Sequence, residues 1–431
     1  MKQRPNKPKV KKNIVLVLVV ILLAVIGLAT IGLLVWDYFF PTTISQPATQ
    51  VELPVDEQQA LAPAPVAPAP APVAPGVGAP PGPAFAGDWR IGIITGSGSW
   101  SEEYQAALMM QERFGADRIV RSTYPANFGA ETISNVLSLI NQGARAIVFV
   151  QAVPGAIAAI QTARNLSGDD IFFFWGAPQE PPAEVAQHAD IVMSSDYFSM
   201  GRAIIEQAHR MGATSFAHIS FPRHLGMESV SYRRAGLMQT AAQFGMEWIE
   251  LTAPDPMTEG VAIAQFFILE NMPQWIAQFG QNTAFFHTSC DMPEPMITQI
   301  AFWGGLFPMQ CHPGPLHALP AAFNISMQGR EGDLNFAVSQ LRSAIAAAGG
   351  SGRFSTWAMP VNTLLVEVGV MYSIEYLEGR VGRHDRAALS RIVQEVSTGM
   401  GGGGITLSNW PLGGGVSIDN FYLVLSDFID F

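Results

Sequence analysis

At 431 residues the chain is longer than one ordinary domain, and a composition of 48% hydrophobic and 14% charged residues is apolar for a soluble protein. The formal net charge is −11, and setting aside the six cations Lys2, Arg4, Lys7, Lys9, Lys11 and Lys12 leaves −17 for the remainder. An acidic body of this kind repels phosphate, which excludes nucleic acid as a partner of the globular part.

The chain opens on a basic tail, residues 1–13, followed by Ile14–Trp36 without a charge. That run exceeds the roughly 20 residues a helix needs to cross a bilayer. Basic residues stay on the cytoplasmic side, so the expectation is a single-pass membrane protein with its N-terminus inside and everything after Trp36 outside. Trp36, Tyr38, Phe39 and Phe40 suit an interfacial aromatic belt. A cleaved signal peptide has a shorter apolar core of about 7–15 residues and a small-residue cleavage site, so the run reads as an uncleaved anchor. Residues 37–88 form a stalk in which Leu61–Pro83 is dominated by Ala and Pro. Each Pro lacks an amide donor and fixes φ, so the segment is expected to be extended and to hold the rest away from the membrane.

From Trp89 to Phe431 short apolar runs alternate with helical patterns. Strands are predicted at Arg90–Thr95, Arg118–Ser122, Ala146–Gln151, Ile171–Trp175 and Ile191–Ser194. Helices are predicted between them at Glu102–Phe114, Ala130–Gln142, Gly155–Asn165 and Ala183–His188. The alternation resumes with helix Met200–Met211, strand Ser215–Ser220, helix Glu228–Phe244 and strand Trp248–Thr252. Helix Ala262–Phe279, strand Thr283–Thr288, helix Pro293–Gly304 and strand Phe307–Cys311 follow. Leu334–Ala348, Phe354–Ala358, Asn362–Leu377, Arg386–Ser397 and Phe421–Leu425 complete the pattern, with the glycines of Gly399–Gly404 and Gly413–Gly415 read as flexible loops. Apolar runs bounded by turn residues suit strands buried on both faces, and strand–helix alternation implies parallel sheets with right-handed crossovers.

Ten or so strands exceed one ordinary doubly wound sheet. Two sheets of about five strands each are expected, side by side and joined by a hinge. The first lobe is placed at about 89–195 with part of 320–355, the second at about 199–318 with part of 355–431. Ligands of open parallel sheets bind beyond the carboxyl ends of the strands. Those positions hold Ser97, Ser99 and Trp100 after the first strand, Gln151 after the third, Trp175 at the fourth, and Asp196 and Tyr197 after the fifth. In the second half they hold Phe221, Arg223 and His224, then His287 and Asp291.

The segments Ser194–Tyr197, Met200–Arg202, Gly212–Thr214 and Phe216–His218 resemble the lobe-crossing stretch of type I periplasmic binding proteins. Arg233-Arg234-Ala235-Gly236-Leu237 resembles the following helix of their sugar-binding branch. The chain is more closely similar to DUF3798, a bacterial family of exported periplasmic-binding-protein-like proteins. That likeness is carried by Gln151–Gly155, Ser220–His224, Thr252–Pro256, Thr283–Phe286, Glu294-Pro295, Gln310-Cys311, Ser355–Trp357 and Asn420–Leu425. It covers essentially all of Trp89–Phe431 and implies the two-lobed fold and export, without a ligand. Many members look like lipoproteins, whereas this chain has no cysteine near its N-terminus to acylate.

Each proposed contact has a plainer reading beside it. The Ser97–Trp100 loop offers amides to a ligand, or is a tight turn in which Ser99 or Ser101, followed by Glu102 and Glu103, caps a helix. Arg223 supplies forked donors and Phe221 a stacking face, or Arg223 is an exposed loop charge. Asp196 accepts ligand hydroxyls or caps the next helix. Trp175 and Trp357 are stacking candidates or core. Arg233 and Asn362 join the candidate ligand contacts. His287, Cys290, Cys311 and His312, with His317, form the one constellation able to bind metal, although their spacing matches no finger or ribbon. The two cysteines pair as a disulfide or remain buried thiols. No nucleophile elbow, Walker loop, HExxH or complete GxGxxG is present, so no enzyme activity and no cofactor are expected. The expectation is a binder of a small polar molecule, either feeding an ABC-type permease or presenting its closed state to a receptor. An extracytoplasmic enzyme or metal-binding protein is the remaining class.

Overall fold

The apolar runs become strands because each is buried on both faces. IGIIT (β1, Ile91–Thr95), AIVFV (β3, Ala146–Val150), FFFWG (β4, Phe172–Gly176) and IVMSS (β5, Ile191–Ser195) are buried at every position. With β2 (Ile119–Thr123), β10 (Ile405–Gly413) and β11 (Val416–Ser426) they form a seven-stranded sheet in the order β10-β11-β5-β4-β3-β1-β2. Only the edge strand β10 runs antiparallel, against β11. The computed structural model describes residues 88–96, 101–125, 129–413 and 416–431. The expected membrane helix Ile14–Trp36 and the stalk lie outside them, as do Ser97, Ser99 and Trp100. Among the described residues no helix is long and apolar enough to cross a membrane.

A second, parallel sheet has the order β7-β6-β8, from Glu247–Thr252, Ser215–Ser220 and Thr283–His287. Parallel bridges Ala284↔Leu306 and Phe307↔Phe354 extend it. β9 (Ser355–Trp357) then pairs antiparallel with β12 (Phe428–Asp430). Two sheets are therefore present, but the division is seven strands against three plus a pair, not five and five. The strand expected over Phe307–Cys311 shrinks to single bridges, because Pro308 has no amide with which to continue a ladder.

Helices cover both faces of each sheet. Helices Ala130–Asn141 and Ala156–Ser167 pack Val136, Leu139, Ala159 and Ile160 against Ile147, Phe149 and Phe173. On the opposite face lies helix Val361–Leu377, buried at every position from Val361 to Val370. A helix apolar on all sides needs such burial, and Leu364, Leu365 and Val368 join Val148, Phe172 and Phe174 in one core. In the smaller lobe, helices Val261–Phe279, Pro293–Trp303 and Leu334–Ala347 bring Ile268, Met296 and Leu341 against Phe285 and Phe307.

This reverses the expected allotment of the C-terminal part. Residues 334–347 belong with the small sheet, while most of 361–426 builds the large one. The reason is register: Phe421↔Val192 and Leu423↔Ser194 place β11 directly beside β5. Phe421 and Leu423 then enter one core, and Tyr422 and Val424 the other.

The chain crosses between lobes at Asp196, at Ala358–Pro360 and at Asp427. The crossings are tied to one another and to the large sheet. The Asp196 amide donates to the Val424 carbonyl at 2.8 Å, and the Ala358 amide to the Asp427 carbonyl at 2.7 Å. Together they make a narrow, hydrogen-bonded hinge.

Candidate functional site

Because β1, β3 and β4 of one lobe and β6 and β8 of the other run toward the hinge-side gap, the residues after them share a cleft. It encloses a cavity of about 410 Å³. The large lobe lines it with Ser101, Glu103, Gln151, Ala177 and Asn362, and the small lobe with Arg223, His224, Arg233, Thr288 and Cys311, among others. A second cavity of about 520 Å³, lined by Glu102, Met109, Gln265 and Glu294, shares Cys290, Asp291 and His317 with the first.

Backbone conformation marks the same place. Gln151 (φ 59°) and Ala177 (φ 48°) are left-handed non-glycine residues directly after β3 and β4, and Ala318 (φ 61°) lines the second cavity. Such residues cost of order 1–3 kcal/mol and cluster at ligand sites. Here the turn aims Gln151 into the gap, where its Nε2 donates to Asn362 Oδ1 at 3.1 Å and Asn362 Nδ2 donates to Glu103 Oε2 at 3.3 Å.

On the opposite wall Arg223 grips Asp255 through Nε and Nη2, both at 2.7 Å. That grip holds the Asp255 carboxyl below its usual range. His224 Nδ1 lies 3.2 Å from Thr288 Oγ1, which is 2.8 Å from Ser220 Oγ. Burial, seconded by the Arg223 charge, lowers the His224 imidazole to about 4, so it is neutral at physiological pH.

Arg233 is the exceptional group. It is 2% exposed, on helix Glu228–Gln243. Its Nη1 donates to the Cys311 carbonyl at 3.1 Å, and its guanidinium lies 4.9 Å from the Phe286 ring centre and 5.6 Å from that of Tyr197. Among the described residues no carboxylate pairs with it, and its Nε has no partner. Two glycines allow this placement. A Cβ on Gly236 would come within 2.4 Å of the Phe198 carbonyl, and one on Gly201 within 2.2 Å of the Arg233 carbonyl. Only with hydrogen at both positions do helices Tyr197–Arg210 and Glu228–Gln243 approach this closely.

The cleft thus brings together Gln151, Tyr197, Arg223, His224, Arg233, Asp291 and Asn362 of the residues expected from sequence, along with Cys290, Cys311 and His312. Others are placed elsewhere. Trp175 and Trp357 are fully buried in core, Trp175 with its ring 5.6 Å from Phe149, because both lie within strands whose side chains point to sheet faces. Phe221 is 1% exposed and supports the site from behind, its ring 4.1 Å from His224. His287 is wholly buried within β8, and burial holds it down at about 4. Asp196 caps its helix, its Oδ1 accepting from the Ser199 amide at 3.0 Å.

Sequence reading missed the acidic pair. Ser101 stands at the helix start but makes no capping bond from its side chain. Glu102 and Glu103, read as a helix-capping first turn, are each 6% exposed at the cavities. Burial raises the Glu102 carboxyl to about 8 against the opposing pull of His317. The signal was available, since two consecutive acids directly after a strand-end Gly/Ser loop stand at the mouth of the fold.

A family model described as a protein of unknown function, DUF3798, matches residues 89–355. Two proteins of Treponema pallidum (strain Nichols), both described as uncharacterized, are similar. One is 34% identical over 164 residues, 38% of this chain and 75% of the relative. The other is 36% identical over 180 residues, 39% of this chain and 81% of the relative. Among solved structures, one described as a transcriptional regulator from Clostridium difficile 630 matches with a TM-score of 0.66, covering 80% of this chain and 99% of that chain at 16% identity. An ABC transporter solute-binding protein from Clostridium phytofermentas with bound L-rhamnose matches at a TM-score of 0.48 and 11% identity, over 80% and 97% of the two chains. The fold shared with the Clostridium difficile structure is an α/β type with parallel sheets.

Proposed function

The chain belongs to the DUF3798 family of proteins of unknown function, and from that membership and its cleft we propose that it is a solute-binding protein whose two lobes close around a small polar ligand. The observation that carries this reading is the cavity of about 410 Å³ between the carboxyl ends of two parallel sheets. Binding requires a pocket and a hinge. The three tied crossings supply the second, and closure is a population shift toward contacts made only in the closed state.

The lining favours a sugar, a nucleoside or a related metabolite. Amides (Gln151, Asn362), hydroxyls (Thr288, Ser289) and forked cations (Arg223, Arg233) suit a compact molecule rich in hydroxyl groups. In this reading the N-terminal segment anchors the lobes outside the cytoplasm, and the loaded form delivers its solute to an ABC-type permease.

Native mass spectrometry of the gently isolated full chain is the test, followed by melting against a panel of monosaccharides and nucleosides. A retained solute of defined mass is expected. Re-added at about a hundredfold excess over its Kd, it should stabilise the fold by about 2.7 kcal/mol. A chain that retains nothing and whose melting no panel member shifts would overturn the proposal.

A further inference from the structure

Cys290 and Cys311 are unbonded thiols, and they are not alone. Their sulfurs are 3.2 Å apart, and a ring nitrogen of His317 lies within 4.8 Å of both. His312 Nδ1 is 2.7 Å from Cys290 Sγ and 3.5 Å from Cys311 Sγ. Cys290 comes from the loop after β8, and the other three from the loop after the Phe307 bridge. His287, which the sequence had grouped with them, is not part of the cluster.

The second loop is held in shape by groups that bond its backbone and leave the four side chains untouched. Gln310 Nε2 donates to the carbonyls of Gly314 (3.1 Å) and His317 (2.8 Å), and Gln310 Oε1 accepts from Thr356 Oγ1 at 2.6 Å. Thr356 Oγ1 in turn accepts from the Gly314 amide at 3.0 Å. Fixing of this kind behind a ligand set is what metal sites require. Cys290 and His317 also face both cavities, so the cluster is reachable from the cleft.

We propose that Cys290, Cys311 and His317 bind one zinc-type divalent cation at the wall shared by the two cavities, with the fourth position open to the cleft. Two thiolates and an imidazole form a borderline-soft donor set. Zinc–sulfur bonds of about 2.3 Å place two thiolates about 3.8 Å apart, so the ion spreads the sulfurs by about half an ångström. Cys290 is the more exposed of the two.

Charge supports the assignment. Two thiolates neutralise a dication, and the buried Glu102 carboxyl approaches from the opposite lobe with no hydrogen-bond partner for its side-chain oxygens. Its Oε1 lies 2.9 Å from where a Cβ on Gly314 would stand, inside the same loop. Arg233, bonded to the Cys311 carbonyl, opposes a cation, but one guanidinium is outweighed by two thiolates. A disulfide would consume both sulfurs and leave the His317 imidazole without a role.

The inference does not depend on the cleft binding a sugar, and its test does not use one. The full chain, isolated under a non-chelating reductant, should carry one equivalent of zinc by elemental analysis. Replacement with Co²⁺ should produce a thiolate-to-metal charge-transfer band. Cys290→Ser and His317→Gln should each weaken Co²⁺ binding by more than the about 10–100-fold typical of outer groups. Circular dichroism of the two variants reports whether they fold, and one folded variant suffices. The proposal is overturned if the reduced chain gives no such band, or if folded variants bind Co²⁺ as the parent does. It is equally overturned if a chain isolated without reductant carries no metal and shows no free thiol until it is reduced.

Discussion

Replacing Arg233 with Met separates a binding group from a structural one, because the two roles predict opposite balances. In the free protein the guanidinium gains a charge-assisted bond to the Cys311 carbonyl, about 1.5–3 kcal/mol. It also gains ring contacts to Phe286 at 4.9 Å and Tyr197 at 5.6 Å, together about 1–2 kcal/mol. Against this stands the desolvation of a cation that is 2% exposed, several kcal/mol after relaxation. The unpaired Nε adds about 1–3 kcal/mol. These terms nearly cancel, and a flexible Met fits beside Met200, so Arg233→Met should change the stability of the empty protein by no more than about 1–2 kcal/mol. A bound solute that completes the Nε hydrogen bond loses about 2–5 kcal/mol with the guanidinium, at least a thirtyfold loss of affinity. Urea unfolding followed by tryptophan fluorescence reads the first quantity, and titration with the solute identified by native mass spectrometry reads the second. If the variant lost more than about 4 kcal/mol of stability and kept its affinity, Arg233 would be a strut between helices and the argument from its unpaired nitrogen would fail.

Gly236→Ala puts a methyl 2.4 Å from the Phe198 carbonyl. Because that contact is backbone rather than a flexible side chain, the helices must part, at a cost of about 1–3 kcal/mol seen as a lower urea midpoint, with weaker solute binding as Arg233 shifts. Asp190 is 3% exposed and accepts from the Phe173 amide (2.7 Å), Arg164 (3.1 Å) and Arg383 (2.7 Å). Asp190→Ala should cost about 2–4 kcal/mol in the same assay, discounted because both arginines are partly solvated. Burial raises Glu367 from 4.5 to about 7, with Arg113 pulling the other way. Between those pH values the folded chain keeps a proton that the unfolded chain has released, so stability falls as pH rises, by up to about 3 kcal/mol. Glu367→Gln should flatten that slope, and unchanged pH dependence of the urea midpoint would refute it.

Local periodicity made most elements legible, because strands buried on both faces and amphipathic helices write their pattern within a few residues. Helix Glu102–Phe114 and strand Ser215–Ser220 have the bounds expected from the sequence. Long-range pairing is not written locally. Nothing near Phe421 announces that β11 inserts beside β5, some 230 positions earlier in the chain, so the C-terminal elements were allotted to the wrong lobes. β10 escaped notice because glycines flank it and Pro411 interrupts it, and proline is tolerated there because β10 is an edge strand. The strand-end rule placed Gln151, Arg223 and His224 where the cleft lies but overreached with Trp175, and Trp357, read as a stacking candidate, is core. A side chain inside a strand points to a sheet face, and only residues past the last ladder bond reach the mouth.

What the cleft recognises is better judged from its unsatisfied atoms than from its polar residues at large. Arg223 already holds Asp255, and Gln151, Asn362 and Glu103 hold one another. Those groups shape the walls and have limited capacity left. Ser101 Oγ, both Glu102 oxygens and Arg233 Nε are buried without a partner, and all belong to residues lining the two cavities. Orphaned buried polar atoms cost about 1–3 kcal/mol each, so those at the cavities are a deficit that a guest would offset. Ser101 and Glu102 come from the large lobe, Arg233 from the small one. In the proposed function a guest that satisfies atoms on both sides binds the closed arrangement more tightly than an open one, and that difference in affinity would drive closure.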